Sequence, residues 1–443
     1  MPRAPFAGLA IAVALVTVAM ALPALTGWDV HVRWFPPLHA EWDPRLGPGT
    51  VPSMLVGALA VWQAVGWAQR LPWGRLLLAT YAGGLAWLFS LALVDGEGGI
   101  GTILDTEYEY LPTARATDDL PATLREYVSR IPYDGLPDDI PGANWPVHVA
   151  GHPPGALSFF VFLDRIGLGS GLAAGIVVTL IAASTAVAVM VTLRLLGAEP
   201  VARRAVPFLV FGPAAIWQAV SADAVFAAVA AWGMAALAAA AVRHGPGGTF
   251  WALVAGLLLG CCVMLSYGLP LLGLLALAVL VVARSWRPLP WAVLAALAVV
   301  LTFAALGFAW WEALPVLRER YWDGVASNRP ASYWMWGNLA ALAASAGPLL
   351  GAGLTTLVRR GSDPDLRPEA VRAATWLAGA AVAMVLAADA SQMSKAEVER
   401  IWLPFVPWLL VSCALLPERW RRAGLALQVV FALVVQHLLL TGW

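Results

Sequence analysis

Stretches of about 20 residues with scarcely a charge recur along the whole chain, from LAIAVALVTVAMALPAL near one end to LALQVVFALVVQHLLL near the other. One such run is long enough to cross the hydrocarbon core of a bilayer, where every backbone amide must find its partner inside the protein. The repetition predicts an all-α polytopic membrane protein. Composition points the same way: 60% of the 443 residues are hydrophobic and 12% are charged, whereas soluble domains carry about 25% charged residues. The first run has the length of a secretory leader, but no clear small-residue cleavage site follows it. It is read as a retained first helix.

Thirteen transmembrane helices are expected, near residues 8–26, 50–68, 75–95, 170–193, 205–220, 224–242, 249–266, 268–283, 289–310, 336–357, 372–389, 402–416 and 423–441. A cytoplasmic N-terminus then places most of the basic residues in short inner loops, Arg70, Arg75, Arg194, Arg203, Arg204 and Arg243 among them, as the positive-inside bias requires. The same orientation leaves five of the 27 carboxylates inside (Glu199, Asp363, Asp365, Glu369 and Glu418) and sends the others to the outer face or its boundary. Acidic residues hardly influence orientation, so this asymmetry calls for a second cause, and function on the outer face supplies one. The chain divides into a three-helix segment (1–95), a large outer loop (96–169) and a ten-helix bundle (170–443), together one membrane domain. Within the loop, HPPGALSFFVFLDRIG opens with prolines suited to a first helical turn but is too short to span. Residues 153–166 are expected as a juxtamembrane helix on the outer surface. Cys261, Cys262 and Cys413 all lie in apolar runs and indicate neither a disulfide framework nor a metal site.

Five constellations could carry chemistry. ILDTEYEYLPTA, residues 102–113, sets Asp105, Glu107 and Glu109 within five positions. In a helix Asp105 and Glu109 would share a face; in an extended strand all three would. PVHVAGHPPGA offers His148 and His152, each able to donate a hydrogen bond or move a proton near neutral pH, although the residues between them argue against a helix. SADAV places Asp223 at a membrane boundary, where an ionisable group is costly unless it faces water or a partner; Ser221 or Asp223 could equally begin the next helix. In SQMSKAEVERIW the sole lysine, Lys395, stands near Glu397, Glu399 and Arg400. Paired cations there suit a phosphate, while Ser394 and Glu397 also fit a capping box. RERYWDGVASNRPASYW mixes Arg320 and Arg329 with aromatics, suited to membrane anchoring or to sugar stacking and phosphate pairing. Glu41 and Asp43 in the first outer loop are spare acidic candidates.

The order of three of these motifs resembles that of the GT-C glycosyltransferases, closest to the protein mannosyltransferase and aminoarabinose transferase branch. Asp-Glu-x-x-Tyr, His-Pro-Pro-Leu and Thr-x-Asp-Ala-Leu in that branch have counterparts here in TEYEY (Glu107 and Tyr110), HPPG (His152–Gly155) and SADAV (Asp223), over residues 75–245. The chain departs from the pattern in having Thr106 at the first acidic position and two extra spans before the acidic loop. The resemblance implies a GT-C-like helix arrangement and an outward-facing site that moves a sugar from a polyprenyl-phosphate donor to a glycan or lipid hydroxyl. Glu107, Glu109 or Asp105 would be the general base. His148, His152, Asp223, Lys395, Glu399, Arg400, Arg320 and Arg329 would hold substrate or its phosphate. A divalent ion, Mg or Mn, is optional, with Asp223 as a ligand, and no other cofactor or nucleic-acid partner is expected. Two readings compete: a transporter or lipid flippase, which predicts ionisable groups deep inside spans or paired broken helices near the midplane, and a non-catalytic envelope scaffold, which predicts a solvent-facing acidic cluster with no cavity where the enzyme predicts an open cavity ringed by the carboxylates.

Overall fold

The computed structural model describes residues 3–32, 35–132, 144–359 and 368–441. Among them, seven helices are long and apolar enough to cross a membrane: Ala4–Thr26, Thr50–Arg70, Trp73–Asp95, Gly171–Leu195, Ala222–Val242, Gly245–Leu265 and Pro368–Ala390. Two further pairs qualify only jointly, Leu289–Ala305 with Trp310–Asp323, bent by 73°, and Ala331–Ser345 with Leu349–Val358, bent by 106°. The chain is thus an all-α, multi-pass membrane protein. Among the described residues its only strand pairing joins Glu41–Trp42 antiparallel to Leu439–Leu440.

Seven spans, or nine counting the bent pairs, are fewer than the thirteen expected, and proline and glycine account for most of the difference. A proline inside a helix lacks the amide donor and crowds the preceding turn. The segment expected as a span at 205–220 is the helix Glu199–Val210, which contains Pro207, followed beyond Gly212 and Pro213 by the single turn Ala215–Gln218. The 402–416 segment, interrupted by Pro404 and Pro407, is broken into Val406–Leu410 and a tighter 3₁₀ stretch, Val411–Leu415. The 336–357 run bends at Gly347, whose φ of +88° suits glycine, and at Pro348. The 268–283 region is the short apolar helix Leu269–Ala283. Near 423–441 lies the helix Glu418–Leu438, whose first turns are the charged ERWRR.

Contacts distinguish two ends of the bundle. At one, Arg203 donates to the carbonyls of Ala68 and Leu71, both at 2.9 Å, and Arg372 to that of Val281 at 2.7 Å. At the other, Asp95 receives Arg45 and Gln436, and the Tyr333 hydroxyl donates to the Ala19 carbonyl at 2.8 Å. The first helix packs on Leu349–Val358 so closely that any side chain at Gly8 would strike the Gly351 carbonyl. The inner-loop carboxylates Asp363 and Asp365 lie outside the described residues.

The acidic stretch is neither helix nor strand. A 3₁₀ turn, Ile103–Asp105, ends at an extended Thr106, and a new helix, Tyr110–Arg115, begins after Glu109. The HPPG helix forms as Pro154–Arg165. It packs against Gly245–Leu265 through Gly155, where a β-carbon would collide with the Met264 backbone, and its Phe160 stacks on Tyr110 with ring centroids 5.1 Å apart.

Candidate functional site

At the end of the bundle that holds Asp95, side chains from four distant segments meet out of solvent. Glu109 Oε1 lies 2.7 Å from His148 Nδ1, and His148 Nε2 lies 3.3 Å from an Arg400 Nη2. The other Arg400 terminal nitrogen, Nη1, stands 3.2 Å from Asp223 Oδ2, and Glu397 Oε2 is 4.0 Å from Nη2. Glu397 in turn pairs with Arg329 at 2.9 Å. Glu109, His148, Asp223 and Arg400 are each less than 8% exposed. Burying ions costs several kcal/mol each, and well-packed apolar side chains are often at least as stabilising. A buried chain of ionised groups is therefore where function is to be sought.

Each member is delivered by local structure. Glu109 occupies the extended position before the Tyr110–Arg115 helix, which turns it inward while Glu107, two residues earlier, stays exposed. His148 sits in a single helical turn, Val147–Ala150, formed despite the expectation of none. The Tyr127 hydroxyl donates to the Val149 and His152 carbonyls on that turn, at 2.8 and 3.1 Å. Asp223 lies in the first turn of Ala222–Val242, where its charge also complements the helix dipole. Ser221 is the residue before the helix but makes no capping bond, and Asp223 is spent on Arg400 instead. Arg400 belongs to the short turn Val398–Ile401.

Hydrogen bonding fixes the histidine's tautomer. A guanidinium only donates, so Nε2 of His148 accepts from Arg400, and the ring proton sits on Nδ1, directed at Glu109. Burial pushes the Glu109 carboxyl up, but the hydrogen bond from His148 and the charge of Arg400 work against it and hold the group below its ordinary value. Burial also works against the Arg400 charge, which Asp223, Glu109 and Glu397 restore and reinforce. Burial draws His152 down toward its neutral form; its Nδ1 bonds to the His148 carbonyl at 2.8 Å. Glu109 Oε2, the Tyr110 hydroxyl and Ser221 Oγ are buried without a hydrogen-bond partner among the described residues. Such atoms are rare in native proteins and mark places for a ligand or water.

The other sequence candidates lie elsewhere. Asp105 points outward to Arg115, at 2.5 Å, leaving Glu109 as the only carboxylate of the acidic triplet in the network. Lys395 does not join Arg400 in a cationic pair: its Nζ donates to the Ala326 carbonyl at 3.0 Å and lies 4.2 Å above the Trp322 ring. Nor do Ser394 and Glu397 form a capping box, because Glu397 adopts φ +62° and turns to the two arginines. Arg320 is committed to backbone, donating to the Ile131 and Trp145 carbonyls, and so braces the approach to His148. Arg329 holds the Lys395 carbonyl at 2.6 Å as well as Glu397. Glu399 is buried beside the network, one oxygen accepting from the His39 amide at 3.2 Å; burial pushes its carboxyl up to about 7. Glu41 lies in the short strand, and the Asp43 amide donates to the Leu438 carbonyl.

Asn338, which sequence reasoning passed over, and Tyr321, one of the aromatics of RERYWDGVASNRPASYW, complete the support. Asn338 donates to Asp389 at 2.8 Å and to the Ser394 carbonyl at 2.7 Å, and accepts from the Ala396 amide; Tyr321 accepts from the Lys395 amide. A lone amide in the apolar stretch SYWMWGNLAALAAS was the available signal for Asn338.

The site does not fit a protein-held metal ion. No three His, Cys, Asp or Glu side chains among the described residues converge as ligands, and Asp223 is turned to Arg400. Two apolar cavities lie away from the network. One of about 500 Å³ lies between Gly171–Leu195, Ala222–Val242 and Gly245–Leu265 and reaches Arg243; one of about 120 Å³ adjoins Thr50–Arg70. No protein-family model matches the chain, and no curated protein matches it.

Proposed function

We propose that the chain is a membrane glycosyltransferase of the GT-C kind, moving a sugar from a polyprenyl-phosphate donor to a hydroxyl of a cell-envelope glycan or lipid. The observation that carries the reading is the buried Glu109–His148–Arg400–Asp223 chain, which joins the acidic loop, the turn before HPPG and SADAV, the three regions whose order resembles that family. Transfer needs a carboxylate within hydrogen-bond reach of the acceptor hydroxyl and cationic donors for the departing phosphate. Glu109, ionised and with Oε2 unpaired among the described residues, takes the hydroxyl proton as the oxygen attacks the anomeric carbon. As the bond from that carbon to the phosphate oxygen breaks, Arg400 receives the leaving phosphate. Glu109 replaces Glu107 as base because only Glu109 reaches the network.

The proposal includes a cytoplasmic N-terminus and thirteen crossings, the broken segments near 205–220, 268–283, 402–416 and 423–441 completing the count, so that the network faces outward. An outward site fits the placement of Arg203 and Arg372 at the opposite end. Burial of Glu109 and Asp223 speaks against the solvent-facing cluster of the scaffold alternative, although the described cavities are not ringed by these carboxylates, and the two bent helix pairs are of a kind that the transporter alternative also predicts.

The test is turnover with the acceptor left open. Purified protein in lipid nanodiscs is mixed with a panel of labelled polyprenyl-phosphate sugars and an envelope extract, and free polyprenyl phosphate is measured. Release from one donor that requires the extract supports the reading; no release from any donor, with folded protein, sinks it.

A further inference from the structure

The network is already short of positive charge. Three paired carboxylates, Glu109, Asp223 and Glu397, face two guanidiniums, Arg400 and Arg329, while Lys395 is turned away to the Ala326 carbonyl and Trp322. With His148 neutral, as its acceptance from Arg400 requires, the buried group carries one excess negative charge when Glu399 is in its acid form. An anion brought to Arg400 would meet this charge at low dielectric, where repulsion between like charges is strong. Yet Arg400 can redirect one donor and still keep Asp223, because its Nη2 is given to the imidazole, with Glu397 4.0 Å away and also held by Arg329, while Nη1 keeps Asp223.

We propose that this site binds its anionic ligand, a phosphodiester, together with one proton, which His148 takes up at Nε2 as Arg400 turns from that nitrogen to the anion. The balance is simple. Before binding, Nδ1–H of His148 donates to Glu109 and Nε2 accepts from Arg400. Afterwards Arg400 donates to the anion, and a proton from solvent occupies the released Nε2 lone pair. The imidazolium then donates from both nitrogens, to Glu109 and to the anion. One negative and one positive charge enter together, and the charge of the buried group is unchanged.

The groups around the ring favour this exchange. Glu109 lies against Nδ1 at 2.7 Å and stabilises the imidazolium; Asp223 and Glu397, both on Arg400, add to the negative surroundings; His152 and Tyr110 are the remaining titratable neighbours. His152 does not substitute, since its Nδ1 is directed at the His148 carbonyl rather than at a carboxylate. The idea rests on the proposed function only for the identity of the ligand. It needs no transfer chemistry.

The probe is methyl farnesyl phosphate, a diester whose single charge does not titrate near neutrality, with inorganic sulfate as a second anion without a lipid tail. Calorimetry of the full chain in nanodiscs, in two buffers of different ionisation enthalpy at pH 6.0, where Glu399 is mostly in its acid form, reads the protons taken up per ligand. The expected result is about one proton per methyl farnesyl phosphate, with affinity rising up to tenfold for each unit of pH lowered. His148→Gln, which can donate to Glu109 and accept from Arg400 but takes no proton, should bind with none. Binding by the unaltered protein without proton uptake overturns the proposal and leaves the transferase reading standing, whether or not the variant folds. Sulfate bound with a proton while the farnesyl diester is refused supports the anion–proton coupling and counts against a prenyl-phosphate donor. Binding of neither probe overturns both.

Discussion

At the residue scale, the network behaves as a set of charges that cannot be removed singly. Arg400→Met leaves Asp223 buried with its cation gone and Glu397 with Arg329 alone, and breaking a buried pair this way costs about 3–5 kcal/mol. Asp105→Asn breaks only a part-exposed pair with Arg115 and should cost about 1 kcal/mol or less. Thermal unfolding in detergent separates the two. Glu399 gives a pH signature. Its folded carboxyl is raised to about 7, so the folded state holds the proton more tightly than the unfolded chain. Stability is fully present below the ordinary carboxyl range and falls as pH rises toward about 7, by about 3 kcal/mol in all. Glu109 and Glu397 are lowered and slope the opposite way, losing stability in acid. Glu399→Gln isolates the first effect: the variant should gain in melting temperature over the unaltered protein at pH 8, and the gain should vanish near pH 4.5. An equal difference at both values would contradict it. The sequence marked every carboxylate of the site, but family spacing favoured Glu107, whereas Glu109 is the one that reaches the network. That choice depends on the extended turn at Thr106 and on His148, a contact between residues far apart in the chain.

At the scale of elements, the segment that delivers Arg400 is held in a conformation it would not choose. Gln392, Ala396 and Glu397 all have positive φ, a region that costs non-glycine residues about 1–3 kcal/mol each. Asn338, Arg329 and Tyr321 bind its backbone from neighbouring helices. Asn338→Ala strips three buried groups of their partner and should destabilise by about 2–4 kcal/mol, with a larger loss of any activity that needs Arg400. Ala396→Gly relieves strain but adds chain entropy of similar size, about 1 kcal/mol, so its melting temperature should stay within a few degrees of the unaltered protein. A large loss there would mean that the methyl group, not the backbone angle, matters. Long apolar helices such as Gly171–Leu195 and Ala222–Val242 were legible from hydropathy alone. The breaks at Pro207, Gly347 and Pro404 were not, because an apolar run reads the same whether its backbone is continuous or divided. The capping box at Ser394 and Glu397 failed for a related reason: the pattern is local, whereas the pull of Arg329 and Arg400 on Glu397 is tertiary.

At the scale of the molecule, the account places the network on the outer face. In a Cys261→Ser background, a cysteine at the exposed position of Glu107 should react with a membrane-impermeant maleimide on intact cells. One at Gly247, where the side chain would enter open space at the opposite end, should react only after lysis. The reverse pattern would invert the topology. Composition made the membrane class plain, and the motif order suggested a chemistry, but the assembly of Glu109, His148, Asp223 and Arg400 into one buried chain required the fold. The claim that this chain is the reacting centre is tested most directly by comparing two carboxylates two residues apart. Transfer from the productive polyprenyl-phosphate donor is measured for Glu109→Gln and Glu107→Gln at matched folded concentration. The account predicts a loss of about 10²–10⁴-fold for Glu109→Gln, the range of a missing general base, and a change of no more than about twofold for exposed Glu107→Gln. Undiminished transfer by Glu109→Gln, or a collapse confined to Glu107→Gln, would contradict it.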